Sequence, residues 1–307
     1  MKKTLALLLG FVISIALIGC GANYDQPLKV IVPNGAPALS QMFMQDNENY
    51  EVSVVNGADP LVAAFGTSAF GSGTHDFIFA PTNLGARLYN SGIEYKFIAA
   101  VTFGNYYLVS MEENFTLESL EGKEIVVFGQ NATSDIVLRY VLEENEINVT
   151  YRYVDSVGTA NAEFAIDNDI IILSAEPMLS ILGNTVSGFN TIDLQAEYQD
   201  LTGEASYPQA GVFAKASLEN AYVRDFLKAL EDSIDKVNND IDATVTMAAQ
   251  LEYSFPESVL RSAIPNSNIG FEKASDVRED LEAYFNIILD MNGALIGGQL
   301  PDDDFYF

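Results

Sequence analysis

Five short segments carry the side chains best suited to holding a small molecule: Asn34-Gly35-Ala36, Asn56-Gly57-Ala58, Ala80-Pro81-Thr82-Asn83, Gln130-Asn131-Ala132-Thr133 and Ser174-Ala175-Glu176-Pro177. Their chemistry is amide, hydroxyl and free backbone N–H, with Glu176 as the one carboxylate. Such groups orient a ligand through hydrogen bonds and do little to transform it. Groups for covalent work are sparse. His75 is the only histidine, in a loop where a solvated role is expected, and Cys20 is the only cysteine. One of each cannot build a Cys/His metal site or a disulfide framework. The sequence has no Gly-x-Ser-x-Gly elbow and no phosphate loop, and Gly71-Ser72-Gly73 lacks the third glycine of a dinucleotide fingerprint. The expectation is a binding protein with no catalytic residue, no cofactor and no metal.

Each segment follows a short apolar run and precedes a helical pattern, the alternation of a parallel α/β sheet. Residues 28–32, 50–55, 76–80 and 95–103 read as strands. The same grammar restarts with 123–128, 149–154 and the wholly buried run 169–173. Pro37 suits the first turn of a helix, and Thr133 or Ser134 suits a cap with Asp135 in the first turn. The C-terminal third reads as helical, with apolar stripes at spacings of three and four over 222–237 and 276–289. Ligands of open parallel sheets bind beyond the carboxyl ends of the strands, where helix N-termini present unpaired N–H groups. Three of the five segments belong to the first unit and two to the second. Face to face, they form one cleft between two lobes.

A chain of 307 residues with 49% hydrophobic composition has ample material for two lobes. Acidic residues outnumber basic ones 43 to 15, a formal charge of −28, which excludes general nucleic-acid binding. Lys2 and Lys3 precede an apolar run, residues 5–18, that is short for a membrane span and is ordered like a secretory signal. The closing Leu17-Ile18-Gly19-Cys20 resembles a bacterial lipobox, which implies cleavage before Cys20 and its lipidation. Removing residues 1–19 leaves 43 acidic against 13 basic residues, a charge of −30. The Asn-x-Thr sequons at Asn114, Asn131 and Asn148 are read as chance, and Asp302-Asp303-Asp304 as a solvated end.

The run Val32-Pro33-Asn34-Gly35-Ala36-Pro37-Ala38-Leu39, the segment Asp76-Phe77-Ile78-Phe79-Ala80-Pro81-Thr82-Asn83, residues 117–123 and Ala175-Glu176-Pro177 together are similar to one family. That family is the substrate-binding proteins of ABC importers for nitrate, sulfonates, taurine and thiamine-pyrimidine precursors. The resemblance implies an α/β, two-lobed periplasmic-binding-protein type II fold, each lobe a mixed, mostly parallel sheet flanked by helices, with two hinge crossings. The expected plan is a signal peptide at 1–19, a tether at 20–26, lobe one at 27–104 plus 212–307, and lobe two at 105–211. The crossings fall near Phe103-Gly104-Asn105-Tyr106-Tyr107 and Tyr207-Pro208-Gln209-Ala210-Gly211.

Carried over by motif, the ligand-binding residues are Asn34, Gly35, Ala36, Thr82, Asn83, Asn131, Thr133 and Glu176, with Tyr106 at the hinge to stack on a planar ligand. The implied protein is a monomer, lipid-anchored on the extracytoplasmic face, that hands a small molecule to an ABC permease and its ATPase. A pyrimidine-like thiamine precursor is the preferred ligand, because no Lys or Arg lies in the five segments. The alternatives are a sulfonate, taurine or nitrate binder, an enzyme on the same fold such as a menaquinone-pathway protein, and a ligand sensor without a transporter.

Overall fold

The computed structural model describes residues 24–67, 71–253 and 255–307. The expected signal peptide, Cys20 and the first residues of the tether lie outside the described residues.

The chain begins with β1 (Leu28–Pro33), α1 (Ala36–Ser40), β2 (Tyr50–Val55) and α2 (Asp59–Phe65). A small ribbon, β3 (Gly66–Thr67) and β4 (Gly71–Ser72), leads to β5 (Phe77–Pro81), α3 (Thr82–Asn90) and β6 (Tyr95–Phe103). There follow β7 (Tyr106–Ser110), β8 (Glu124–Phe128), α4 (Thr133–Glu144), β9 (Thr150–Val154) and α5 (Val157–Ile166). Next come β10 (Ile171–Ala175), α6 (Met178–Gly183), β11 (Asn190–Asp193) and α7 (Leu194–Thr202). The chain ends with β12 (Pro208–Lys215), α8 (Asn220–Asn239), α9 (Ile241–Gln250), α10 (Glu257–Ala263), β13 (Ile269–Lys273) and α11 (Ala274–Asn292).

Two sheets result. The first runs β13-β6-β12-β5-β1-β2 and the second β11-β7-β10-β8-β9. In the first, β1 is parallel to both β2 and β5, and β12 is antiparallel to β5 and β6. In the second, β8 is parallel to β9 and β10, while β7 is antiparallel to β10 and β11. The chain leaves the first sheet once, between Phe103 and Tyr106, and returns once, between α7 and Pro208. The fold is therefore the mixed α/β, two-sheet architecture expected of a periplasmic binding protein.

Central strands are apolar without alternation because helices cover both faces. Val30 and Val32 pack with α8, α9 and α10 on one face of the first sheet, while Ile31 joins α2, α3 and α11 on the other. All five residues of β10 are buried. The stripe expected on α8 is its core face: Val223, Phe226, Leu227, Leu230, Ile234 and Val237 are buried. The stripe on α11 does the same with Val277, Leu281, Tyr284, Phe285 and Ile288.

Local departures have physical causes. The C-terminal third is not wholly helical, since β13 adds an edge strand to the first sheet beside β6. Neither Thr133 nor Ser134 caps α4. The chain is already helical at Thr133, the N-cap is Ala132, and the Ser134 hydroxyl donates instead to the Phe128 carbonyl at 2.9 Å. Asp135 supplies the acceptor there, taking the Asn131 N–H at 2.8 Å. The strand read from Val212 begins at Pro208, so Gln209, Ala210 and Gly211 are sheet residues.

Phe226 holds the first lobe's helical layer to its sheet. Its ring stacks on Phe77 at 3.7 Å and 14° and meets Tyr50 edge-on at 5.4 Å. Phe226→Ala is expected to cost about 3–5 kcal/mol in denaturant unfolding, the range for emptying a large aromatic site. Val54→Ala, at a position 42% exposed, is expected to stay within about 0.5 kcal/mol.

Candidate ligand-binding cavity

The carboxyl ends of the parallel strands in the two sheets face one another across a cavity of about 440 Å³. Loops from both sheets line it. Asn34, Gly35 and Ala36 follow β1, Asn56 and Gly57 follow β2, and Pro81 ends β5. From the second sheet come Ala132 and Thr133 after β8, Val157 and Gly158 after β9, and Glu176 after β10. Gly35 is required as glycine: its φ of +111° is a conformation that a side chain disfavours, and it sets the turn from β1 into α1.

Of the residues expected to bind ligand, the structure brings Asn34, Gly35, Ala36, Tyr106, Thr133 and Glu176 to this cavity. Thr82, Asn83 and Asn131 do not line it. Thr82 is fully buried and its hydroxyl donates to the Pro208 carbonyl at 2.7 Å, tying α3 to the start of β12. Asn83 sits behind Thr133 and accepts its hydroxyl proton at 3.4 Å, so it positions a lining residue. Asn131 turns away with φ of +62° and borders a separate void of about 110 Å³ with Asp135 and Arg139. His75 lies elsewhere, half-buried, its ring nitrogen 2.9 Å from the Thr74 hydroxyl.

Glu176 is the one charged side chain in the wall among the described residues. It is 7% exposed, and its two oxygens accept from the Ser180 backbone N–H at 3.1 Å and the Ser180 hydroxyl at 3.0 Å. Burial pushes its carboxyl above the usual carboxylate range, and the two bonds from Ser180 draw it part of the way back. Tyr106 presents a buried ring with Tyr207 behind it, the ring planes 15° apart and the centroids separated by 6.4 Å. On the facing loops, Asn34 Nδ2 donates to Asn56 Oδ1 at 3.2 Å, and Asn34 Oδ1 accepts the Gly35 N–H at 2.9 Å. Those two side chains fix each other.

Asn56 also lines the cavity, from one of the five segments read as suited to a ligand, whereas Asn105, Gln209, Met178 and Phe255 line it and were not among the expected residues. Asn105 and Gln209 lie in the segments read as crossings, so position alone offered a signal for them. Phe255 reaches the site from the link between α9 and α10, which no motif marks.

Solved structures share this fold. An ABC transporter protein of Parabacteroides distasonis superposes with a TM-score of 0.80 at 22% identity, covering 92% of this chain and 99% of that one. The ligand-binding component of an ABC-type import system from Staphylococcus aureus, with zinc bound, gives 0.67 at 14% identity over 92% and 97%. The alkanesulfonate-binding protein of Xanthomonas axonopodis pv. citri bound to MOPS gives 0.66 at 15% identity over 92% and 96%. No curated protein matches the sequence. Residues 86–291, two thirds of the sequence, match the model of the family described as Menaquinone biosynthesis, and the chain belongs to that family.

Proposed function

We propose that the protein is the extracytoplasmic, lipid-anchored solute-binding component of an ABC importer, which captures a small planar organic molecule between two lobes and presents it to a permease and its ATPase. The observation that carries this reading is the cavity itself: about 440 Å³, walled by loops from both sheets, with the crossing residues Asn105 and Tyr106 among its lining. A ligand touching both walls favours the closed arrangement by the difference in its contacts. The lobes in this reading are residues 27–104 with 212–307, and 105–211. Importer components among the solved structures of this fold support it.

Charge argues for a neutral or weakly cationic ligand, with a pyrimidine-like thiamine precursor as the preferred member. The wall carries Glu176 and no lysine, arginine or histidine among the described residues. The N-terminus of α4, which an anion would otherwise use, already has the buried Asp135 carboxylate on the Asn131 N–H. The family match favours a second reading, an enzyme of menaquinone biosynthesis on the same fold. In that reading Glu176 is the lining group able to exchange a proton.

Mass spectrometry of natively purified protein is expected to find a small organic molecule that survives incubation unchanged. Returning it to stripped protein is expected to shrink the radius of gyration in solution scattering. A product of different mass would establish the enzyme reading instead, and an unchanged radius would remove lobe closure.

Attachment is tested separately. Cys20→Ala is expected to block both acylation and cleavage by the lipoprotein signal peptidase, so that full-length precursor accumulates without taking up labelled fatty acid; processing and labelling like the wild type would overturn the lipoprotein reading. Stable anchoring requires about two acyl chains.

Glu176 makes a pH prediction. Its folded pKa lies above the unfolded value, so between the two the folded chain holds more protons. Stability therefore falls as pH rises through that window and is free of the penalty below it. The wild type is expected to gain on Glu176→Gln as pH drops from neutral toward 4, read as the difference in denaturation midpoints.

A further inference from the structure

The described chain enters the fold at the end of the first sheet opposite the cavity. The Tyr24 ring meets Tyr222 edge-on at 5.1 Å and Tyr50 at 6.2 Å, and its hydroxyl lies 3.4 Å from that of Tyr50. Tyr50 begins β2, whereas Asn56, directly after β2, lines the cavity. Six strand residues at about 3.3 Å each set those two points about 20 Å apart. Tyr222 lies in the first turn of α8, so Tyr24 pins the entering chain to the start of that helix.

Cations gather at the same end. Two hollows of about 410 and 360 Å³ share Phe307 in their walls. Arg224, Lys228 and Lys273 line the first, and Lys96 and Lys215 the second. These five are a third of the chain's 15 basic residues, while Glu231 is the one acid in either lining among the described residues. Lys228 pairs with Asp232 at 2.9 Å, and Lys215 donates to the Gly73 carbonyl at 2.9 Å. Lys96, Arg224 and Lys273 form no ion pair among the described residues. Strand pairing fixes the location. Ala214, beside Lys215, pairs with Lys96 on one side and with Phe77, the first residue of β5, on the other. Arg224 follows Tyr222 by two positions on α8.

We propose that this end of lobe one is the membrane-facing surface, with its cations against the anionic headgroups of phospholipids and the cavity directed away from the bilayer. The proposal rests on reading Cys20 as acylated. Four residues lead from Cys20 to Tyr24 and span at most about 14 Å, less than the length of β2. Acyl chains on Cys20 therefore hold the Tyr24 end at the bilayer and leave the cavity at the far end of the sheet. Anionic headgroups there meet the guanidinium and ammonium groups of the two hollows. The charge of −28 acts weakly on this contact, because its field fades over about 8 Å at physiological salt. Asp25 and Asp225 near the entry, and Glu231 and Asp232 farther along α8, offset part of the attraction. The acyl chains thus hold the protein, and the cations set its tilt. Phe307, 36% exposed between the hollows, adds an apolar ring at headgroup level. Solute delivery then requires Tyr24 to leave Tyr50 and Tyr222, which lets residues 24–27 lengthen the tether.

The test is energy transfer from the mature, acylated protein in vesicles to a fluorescent acceptor carried on lipid headgroups. Cys20 is the chain's only cysteine, so an introduced thiol is the single labelling point. Glu48→Cys marks the Tyr24 end, and Asp59→Cys, at the first residue of α2, marks the cavity end; both positions are exposed. Transfer is expected to be at least about twofold stronger from position 48 than from position 59, given the length of β2 between them. The contrast is expected to be larger in vesicles of phosphatidylcholine with phosphatidylglycerol than in phosphatidylcholine alone. Arg224→Glu combined with Lys273→Glu, at two exposed positions, is expected to abolish that lipid dependence and leave the unfolding midpoint unchanged. Equal transfer from the two positions, or stronger transfer from position 59, overturns the pose. A contrast indifferent to phosphatidylglycerol, or to the charge reversal, overturns the cation contact. Mass spectrometry showing no acyl chain on Cys20 removes the lipoprotein reading and the pose with it. Acylated protein that fails the transfer test leaves the lipoprotein reading standing and sinks the pose alone.

Discussion

Gly104 can carry no side chain, because a Cβ there would run into the ring of Tyr207 and the side-chain amide of Gln195. That close approach lets the outgoing crossing at Gly104 and Asn105 lie against the returning chain at Ser206 and Tyr207. Hydrogen bonds then fasten the pair: the Gly104 N–H donates to the Ser206 hydroxyl at 3.3 Å, and the Asn268 amide donates to the Gly104 carbonyl. This contact holds the outgoing and returning crossings together where Asn105 and Tyr106 enter the cavity lining. A bulkier residue at position 104 would separate the crossings before it disturbed either sheet.

Charge is arranged differently outside and inside. A formal charge of −28 covers the chain as a whole, and at physiological salt its field fades over about 8 Å. The local groups therefore decide which ligand is held. Inside, one carboxylate, several amides and apolar surface line the wall among the described residues, and the nearby helix end has its own acidic partner in Asp135. Both scales disfavour an anion, the outer through encounter rate and the inner through contact.

Much of the architecture was legible because it depends on periodicity and composition. Strands 50–55 and 95–103 lie where the apolar runs placed them, and the α8 and α11 stripes became core. β13 was not legible, since Ile-Gly-Phe-Glu-Lys is short, half polar and held by pairing to β6 at an edge. The α4 cap misled because the Thr133 and Ser134 hydroxyls donate to acceptors outside the helix, Asn83 Oδ1 and the Phe128 carbonyl. The same holds in the site. Loops were visible as turn chemistry, but whether Thr82 faces a ligand or the Pro208 carbonyl depends on a partner 126 positions away. Asn105 and Gln209 could not be told from ordinary hinge residues, because lining a cavity is a property of surroundings and not of residue type.

A shared fold cannot choose between capture and catalysis, and the family assignment names a pathway rather than a reaction on this chain. The choice depends on what the lining groups are free to do. A general acid or base needs an oxygen directed at the reacting atom. Both Glu176 oxygens are engaged by Ser180, one through the backbone and one through the hydroxyl, which anchors the carboxylate to the start of α6. Holding a carboxylate in this way suits a fixed acceptor and opposes the reorientation a proton carrier needs. Its neighbours at the crossing are amides, which hydrogen-bond strongly but do not titrate in the range where proteins work. Amides and one held carboxylate can select a ligand by its hydrogen-bonding groups, and selection followed by release is what the proposed solute delivery requires.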